Sequence, residues 1–152
     1  MGGFGNRQRS LAIMKDPAAG PIAVLVLALL LLLKWSLISS IIEKQALSVL
    51  LLTPLLGRLA ILMLMSTSDY IRTGGLAEKL IANLPQGGVN ITIFLWLLIT
   101  VFFLGILALV AVSLMVFIIR RLANKRLGGV TGDVYGATVE LVEVSILMSV
   151  LI

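Results

Sequence analysis

Four long apolar runs, at residues 22–42, 46–66, 91–119 and 134–152, alternate with short polar stretches along the chain. None of the runs shows the two-residue alternation of a barrel strand, and Leu-rich continuous apolar sequence favours helices. In lipid only helices or closed barrels satisfy their own backbone groups. The pattern therefore predicts an all-α fold, a polytopic integral-membrane helical bundle of about four to five membrane segments, with residues 1–152 forming a single membrane domain.

Within this frame some positions break the apolar pattern. Residues 1–21 are polar and punctuated by Gly and Pro, which predicts a loop at a membrane face. Lys34-Trp35 interrupts the first run. A Trp ring beside a snorkelling Lys is read as an interfacial anchor, with a Lys facing the protein interior as the alternative. The second run carries Pro54, Gly57 and Arg58 near its middle. A mid-span Arg costs ~2.5 kcal/mol or more to insert, so Arg58 should face a partner or a wet cavity, unless a tilted helix lets it snorkel to one face. Leu76, Ala77, Leu80, Ile81 and Leu84 recur at helical spacing opposite Glu78, Lys79 and Asn83, predicting a short helix lying in the interface.

The third run is ambiguous. Its 29 uncharged residues would make a helix of about 43 Å, longer than the ~30 Å hydrocarbon core. One tilted span would put Arg120, Arg121, Lys125 and Arg126 on the opposite side from Arg7, Arg9 and Lys15. A break near Gly105 would put both basic clusters on one side, as positive-inside counting prefers, but leave two short or re-entrant halves. We favour the break.

Composition supports the membrane reading. The chain is 60% hydrophobic and 12% charged, against ~25% charged in a soluble domain, and its mean hydropathy is +1.16. A formal charge of +5 could point to nucleic acid, but the basic residues flank apolar runs instead of lining a polar face, so no nucleic-acid partner is expected. The basic N-terminal flank lacks a small-x-small cleavage site, and Asn6 does not fit a myristoylation signal. With no Cys and no His, thiol chemistry, imidazole bases and the usual zinc ligands are absent. Acid–base or metal chemistry would fall on the seven carboxylates, for which Mg²⁺ is the natural ion.

Two constellations are suited to such chemistry. Around Gly128-Gly129-Val130-Thr131-Gly132, a Gly-rich loop opens an apolar helix whose free N–H groups can receive phosphate oxygens. Asp133, Gly136, Glu140 and Glu143 then fall within about 80° of one another on that helix, forming a carboxylate-bearing face with room at Gly136 for a ligand. Asp133 could instead serve as a helix N-cap, and Glu140 and Glu143 could pair with a buried cation such as Arg58. The second constellation is Arg7, Arg9, Lys15 and Asp16, which suits a diphosphate with a nearby cation ligand or, equally, a plain positive-inside flank. Neither Gly-rich stretch is a Walker loop or a dinucleotide fingerprint.

Gly5-Asn6-Arg7-Gln8-Arg9, Ile13-Met14-Lys15-Asp16, and the stretch from Arg126-Leu127-Gly128-Gly129 through Thr131-Gly132-Asp133-Val134-Tyr135-Gly136-Ala137 to Glu140 and Glu143 together resemble the cobalamin synthase family, the adenosylcobinamide-GDP ribazoletransferases. The resemblance covers essentially the whole chain. It implies a transferase that joins adenosylcobinamide-GDP to α-ribazole, or its 5′-phosphate, and releases GMP with Mg²⁺ as cofactor, in a bacterial or archaeal cytoplasmic membrane. On this resemblance Asp133, Glu140 and Glu143 are the catalytic candidates, and Arg7, Arg9, Lys15, Arg58, Gly128, Gly129 and Thr131 the substrate contacts. Asp16 and Asp133 are the metal candidates.

Members of the family carry further transmembrane sequence and an Asp-Gly-Leu-Ala-Asp-type acidic motif before the position of Gly2-Gly3. This chain is therefore expected to correspond to the C-terminal part of a longer enzyme, embedded in lipid and working as a homo-oligomer or with the missing N-terminal part. Two other readings stay open: a membrane phosphotransferase of the CDP-alcohol type, whose double-aspartate signature these residues lack, and a non-catalytic membrane or transporter subunit held by an Arg58, Glu140 and Glu143 network.

Overall fold

The computed structural model describes residues 7–14, 20–72, 74 and 76–152, without the side chains of Arg9 and Leu76. These residues form seven helices: α1 (Arg7–Ile13), α2 (Pro21–Glu43), α3 (Leu47–Thr67), α4 (Leu76–Ala82), α5 (Gln86–Leu104), α6 (Ile106–Leu127) and α7 (Gly132–Leu151). Five of them, α2, α3, α5, α6 and α7, are long and apolar enough to cross a membrane. The all-α polytopic fold expected from the apolar pattern is the observed one.

The apolar runs locate the helices, but their polar flanks extend two of them. A helix does not end where hydrocarbon ends, so α5 starts at Gln86 and α6 continues through Arg120 and Arg121 to Leu127. The 91–119 run breaks at Gly105, whose φ of +84 and ψ of 175 lie in backbone territory open essentially to glycine. The two resulting helices have 19 and 22 residues, roughly 28 and 33 Å, so the expected short or re-entrant halves are corrected to two full-length helices. The expected loop over residues 1–21 is also corrected in part, because Arg7–Ile13 is helical.

α7 lies at the centre, packed against α2, α3 and α6. Leu56, Leu59, Ala60 and Leu64 of α3 meet Val112, Val116, Ile119 and Ala123 of α6 and Tyr135, Val142 and Ile146 of α7 in the main core. Ala60 and Ala123 let helix backbones approach closely where the bilayer supplies no hydrophobic drive. A second cluster joins Ile41, Val49 and Leu147, with Leu104 against it. This places the 44–46 turn, the Gly105 break and the end of α7 at one end of the bundle.

The opposite end is set by two contacts. Tyr70 and Val130 form an isolated parallel bridge, and the Arg7 side chain lies against Gly128. Helices α2, α5 and α7 thus run one way and α3 and α6 the other. Arg7, Arg72, Lys79, Arg120, Arg121, Lys125 and Arg126 all belong to the end that holds the Gly-rich loop, and among the described residues Lys44 alone belongs to the other. The break at Gly105 therefore puts Arg7 on the same side as Arg120, Arg121, Lys125 and Arg126, as charge counting preferred.

Candidate functional site

At the basic end the chain leaves α6 through Gly128, whose φ of +78 is the left-handed C-cap conformation, its N–H donating to the Asn124 carbonyl at 3.0 Å. Gly129 then passes under residues 69–71. Val130 N–H donates to the Asp69 carbonyl at 2.9 Å, and Ile71 N–H donates to the Val130 carbonyl at 3.0 Å. A Cβ on Gly129 would sit 2.5 Å from the Asp69 carbonyl oxygen and collide with Ile71, so only glycine fits this crossing. Tyr70 stacks on Tyr135 with ring centroids 6.1 Å apart and planes 9° from parallel, tying the 69–71 segment to the first turn of α7.

The buried Thr131 is the N-cap of α7, its hydroxyl accepting from Val134 N–H at 3.4 Å. The capping role considered for Asp133 is therefore filled by Thr131. The Asp133 carboxylate, exposed in the first turn, instead accepts from Arg72 at 3.4 Å. Arg72 lies 61 positions away in sequence, and no spacing pattern announces the pair. The Gly-rich loop is thus bounded by Arg7 against Gly128 on one flank and by Arg72 with Asp133 on the other.

Glu143 lies about 15 Å farther along α7, ten residues at 1.5 Å each. Its buried carboxylate accepts from Arg58 at 3.0 Å and from Lys34 at 2.5 Å, and Lys34 also donates to Glu140 at 2.9 Å. Gly57 permits this approach: a Cβ there would lie 3.1 Å from Val139 and 3.2 Å from a Glu143 carboxylate oxygen. Two cations and two carboxylates cancel around the buried Glu143, with Arg58 and Glu140 joining from more exposed positions, which lowers the cost of each. The interfacial-anchor reading of Lys34 is corrected by this pairing. Trp35 points outward, 74% exposed, while Lys34 turns to α7.

The carboxylate face of α7 is consequently divided. Glu140 and Glu143 share Lys34, whereas Asp133 joins the loop end. Gly136, between them, is exposed, with nothing within 4 Å of a Cβ built there. Lys15 and Asp16 lie outside the described residues, and Arg9 is placed only by its backbone in α1. Among the described residues no three Asp or Glu side chains converge, and the Asp133 carboxylate is engaged by Arg72. These residues therefore do not by themselves fit a Mg²⁺ site.

A profile of the family described as cobalamin-5-phosphate synthase matches residues 1–151. The chain is 43% identical over 151 residues to a protein of Pseudomonas fluorescens (strain Pf0-1) named adenosylcobinamide-GDP ribazoletransferase, covering 97% of this chain and 62% of the relative. Proteins of the same name from Pseudomonas fluorescens (strain SBW25) and Stutzerimonas stutzeri (strain A1501) are 44% and 42% identical, each over 97% of this chain and over 62% and 61% of their own lengths. The chain spans about three fifths of the length of these curated relatives. No solved structure matches it significantly.

Proposed function

Since this chain belongs to the cobalamin-5-phosphate synthase family, we propose that it supplies the phosphoryl-transfer end of an adenosylcobinamide-GDP ribazoletransferase. A hydroxyl oxygen of α-ribazole, or of its 5′-phosphate, forms a bond to the cobinamide-side phosphorus of the diphosphate. The phosphorus–oxygen bond to GMP breaks, and the hydroxyl proton leaves. The observation that carries the reading is the loop of residues 128–132, with Arg7 on one flank and Arg72 and Asp133 on the other.

A transferring diphosphate requires cations and N–H groups that are already in place, because little covalent chemistry is left for the protein. Arg7, with Arg9 and Lys15 near it in sequence, neutralises diphosphate oxygens. The loop glycines let the backbone approach them, and Thr131 fixes the start of α7. Asp133 orients the acceptor hydroxyl and takes its proton, and Arg72 holds that carboxylate in place. Glu140 and Glu143, with Arg58 and Lys34, set the depth and rotation of α7 and so the position of Asp133.

Mg²⁺ is part of the proposal as a requirement of the reaction. Asp16 and the acidic motif that the family carries before Gly2 are the donors to test, since the described residues do not complete a site. The basic end faces the cytoplasm of a bacterial membrane, and the rest of the relatives' length, or a second copy, completes the assembly.

Replacing Asp133 with Asn in the intact enzyme tests the assignment. The side chain is exposed and its one ion pair is long, so stability should change by less than about 1 kcal/mol. GMP release should be abolished while the folded membrane protein persists. Near-normal turnover overturns the reading.

A further inference from the structure

Beside the Gly-rich loop, α1, α6 and α7 enclose a groove of about 580 Å³. Its walls are mostly apolar, built chiefly by Ile13 at the end of α1 and Met14 just after it, Leu122 and Ala123 of α6, and Val134 and Ala137 of α7. Ser10 and Arg126 bring the polar atoms of side chains to it. Its α7 wall begins one residue after Asp133, and its α6 wall runs to Leu127, one residue before Gly128.

We infer that this groove holds the flat base of the acceptor nucleoside, an apolar bicyclic ring, leaving its ribose at the loop beside Asp133. The inference rests on the ribazoletransferase reading and assigns the acceptor's place within it. Small-molecule sites commonly have volumes of ~300–1,000 Å³, with mostly apolar walls and a few polar groups that set orientation. Of the bodies the two substrates bring, the corrin macrocycle is too large for this volume, and guanine presents donors and acceptors along a whole edge, more than the two polar side chains Ser10 and Arg126 can pair in an otherwise apolar wall. Ribose and phosphates require the cations and N–H groups of the loop. A dimethylbenzimidazole ring, planar, small and without exocyclic donors, matches both the volume and the walls. A lipid acyl chain shares the apolar chemistry, but it offers no reason for the groove to end at Asp133 and the Gly-rich loop.

Ala137 is exposed on the groove wall, so Ala137→Phe fills the space without disturbing the core, and Leu122→Trp narrows it from the opposite side. Binding of labelled α-ribazole and of labelled adenosylcobinamide-GDP is measured separately on the purified intact enzyme in detergent, with thermal unfolding recorded for each variant. The expected result is α-ribazole affinity reduced about tenfold or more in both variants, with adenosylcobinamide-GDP affinity and unfolding temperature retained. Unchanged α-ribazole affinity in both variants overturns the inference and leaves the transferase reading standing, and so does equal loss of both ligands in a folded variant. A lipid found on the wild type by native mass spectrometry, absent from Ala137→Phe while α-ribazole binding is unchanged, reassigns the groove to lipid. An intact wild-type enzyme that binds neither substrate overturns the functional reading itself, and the acceptor's place with it.

Discussion

Arg58 donates to Glu143 at 3.0 Å across the contact of α3 with α7, 85 positions apart in sequence and in the apolar interior of both helices. The pair depends on Gly57, since any side chain there would press against the same carboxylate. Lys34 closes the arrangement from α2, so a single buried carboxylate ties three membrane-crossing helices together. The four charges sum to zero, and the cost of an acid in the span is offset by partners that would be as costly without it.

Removing Glu143 leaves Lys34 with Glu140 alone and Arg58 with no carboxylate. Glu143→Ala should therefore destabilise the bundle by about 1–3 kcal/mol, below the scale for a fully buried pair because the Arg58 side chain is 65% exposed and Lys34 keeps Glu140. Glu140→Ala, at a half-exposed position and with Lys34 still held by Glu143, should cost about 1 kcal/mol or less. Equilibrium unfolding in mixed micelles measures both. Equal effects would show that Glu143 is not the centre of the network.

Two loop-end glycines should behave oppositely. Gly129→Ala drives a Cβ into the Asp69 carbonyl and Ile71, so the crossing of residues 69–71 must shift, at about 1–3 kcal/mol. Gly136→Ala meets nothing within 4 Å and lies inside a helix, where alanine gains up to about 1 kcal/mol over glycine. Gly136→Ala should thus fold at least as well as the wild type yet lose GMP release in the intact enzyme, because the methyl group occupies the path of the ligand. Full activity in that variant would remove Gly136 from the site.

The division between what was legible in the sequence and what was not follows the range of the interactions. Apolar runs register burial in lipid, a property of each segment alone, and they located the five long helices to within a few residues at most ends. The Gly105 break was readable because excess length and charge placement pointed to it together. The unforeseen parts join distant segments. Arg72 meets Asp133, and Tyr70 meets Tyr135, only once α3 and α7 have packed. Lys34 looked like an anchor because Trp35 adjoins it, yet neighbouring residues on a helix point about 100° apart and only Trp35 faces outward. The pairing of Arg58 with an α7 glutamate was readable, since a mid-span cation requires a counter-charge and the apolar runs offered few.

The Tyr135 hydroxyl is buried and has no hydrogen-bond partner among the described residues, while its ring packs in the core against Tyr70. An unsatisfied buried hydroxyl is a cost that phenylalanine removes without changing the stack. Tyr135→Phe should be neutral or about 1 kcal/mol more stable in the same unfolding assay. A marked loss of stability would mean that the hydroxyl is bonded in the assembled enzyme.

The path of the chain through the membrane can be tested directly, because the sequence contains no cysteine and each one introduced is the single thiol. Lys44→Cys reports the α2–α3 turn and Ile106→Cys the Gly105 break, while Asn83→Cys and Asn124→Cys report the basic end; all four positions are exposed. In sealed vesicles an impermeant maleimide should label positions 83 and 124 from one side and positions 44 and 106 from the other. A single span over residues 91–119 would instead carry position 124 across to the side of position 44. That outcome would separate the Gly-rich loop from residues 69–71, which the Tyr70–Val130 bridge and the Arg72–Asp133 pair hold together, and would leave Asp133 without the neighbours on which its proposed role depends.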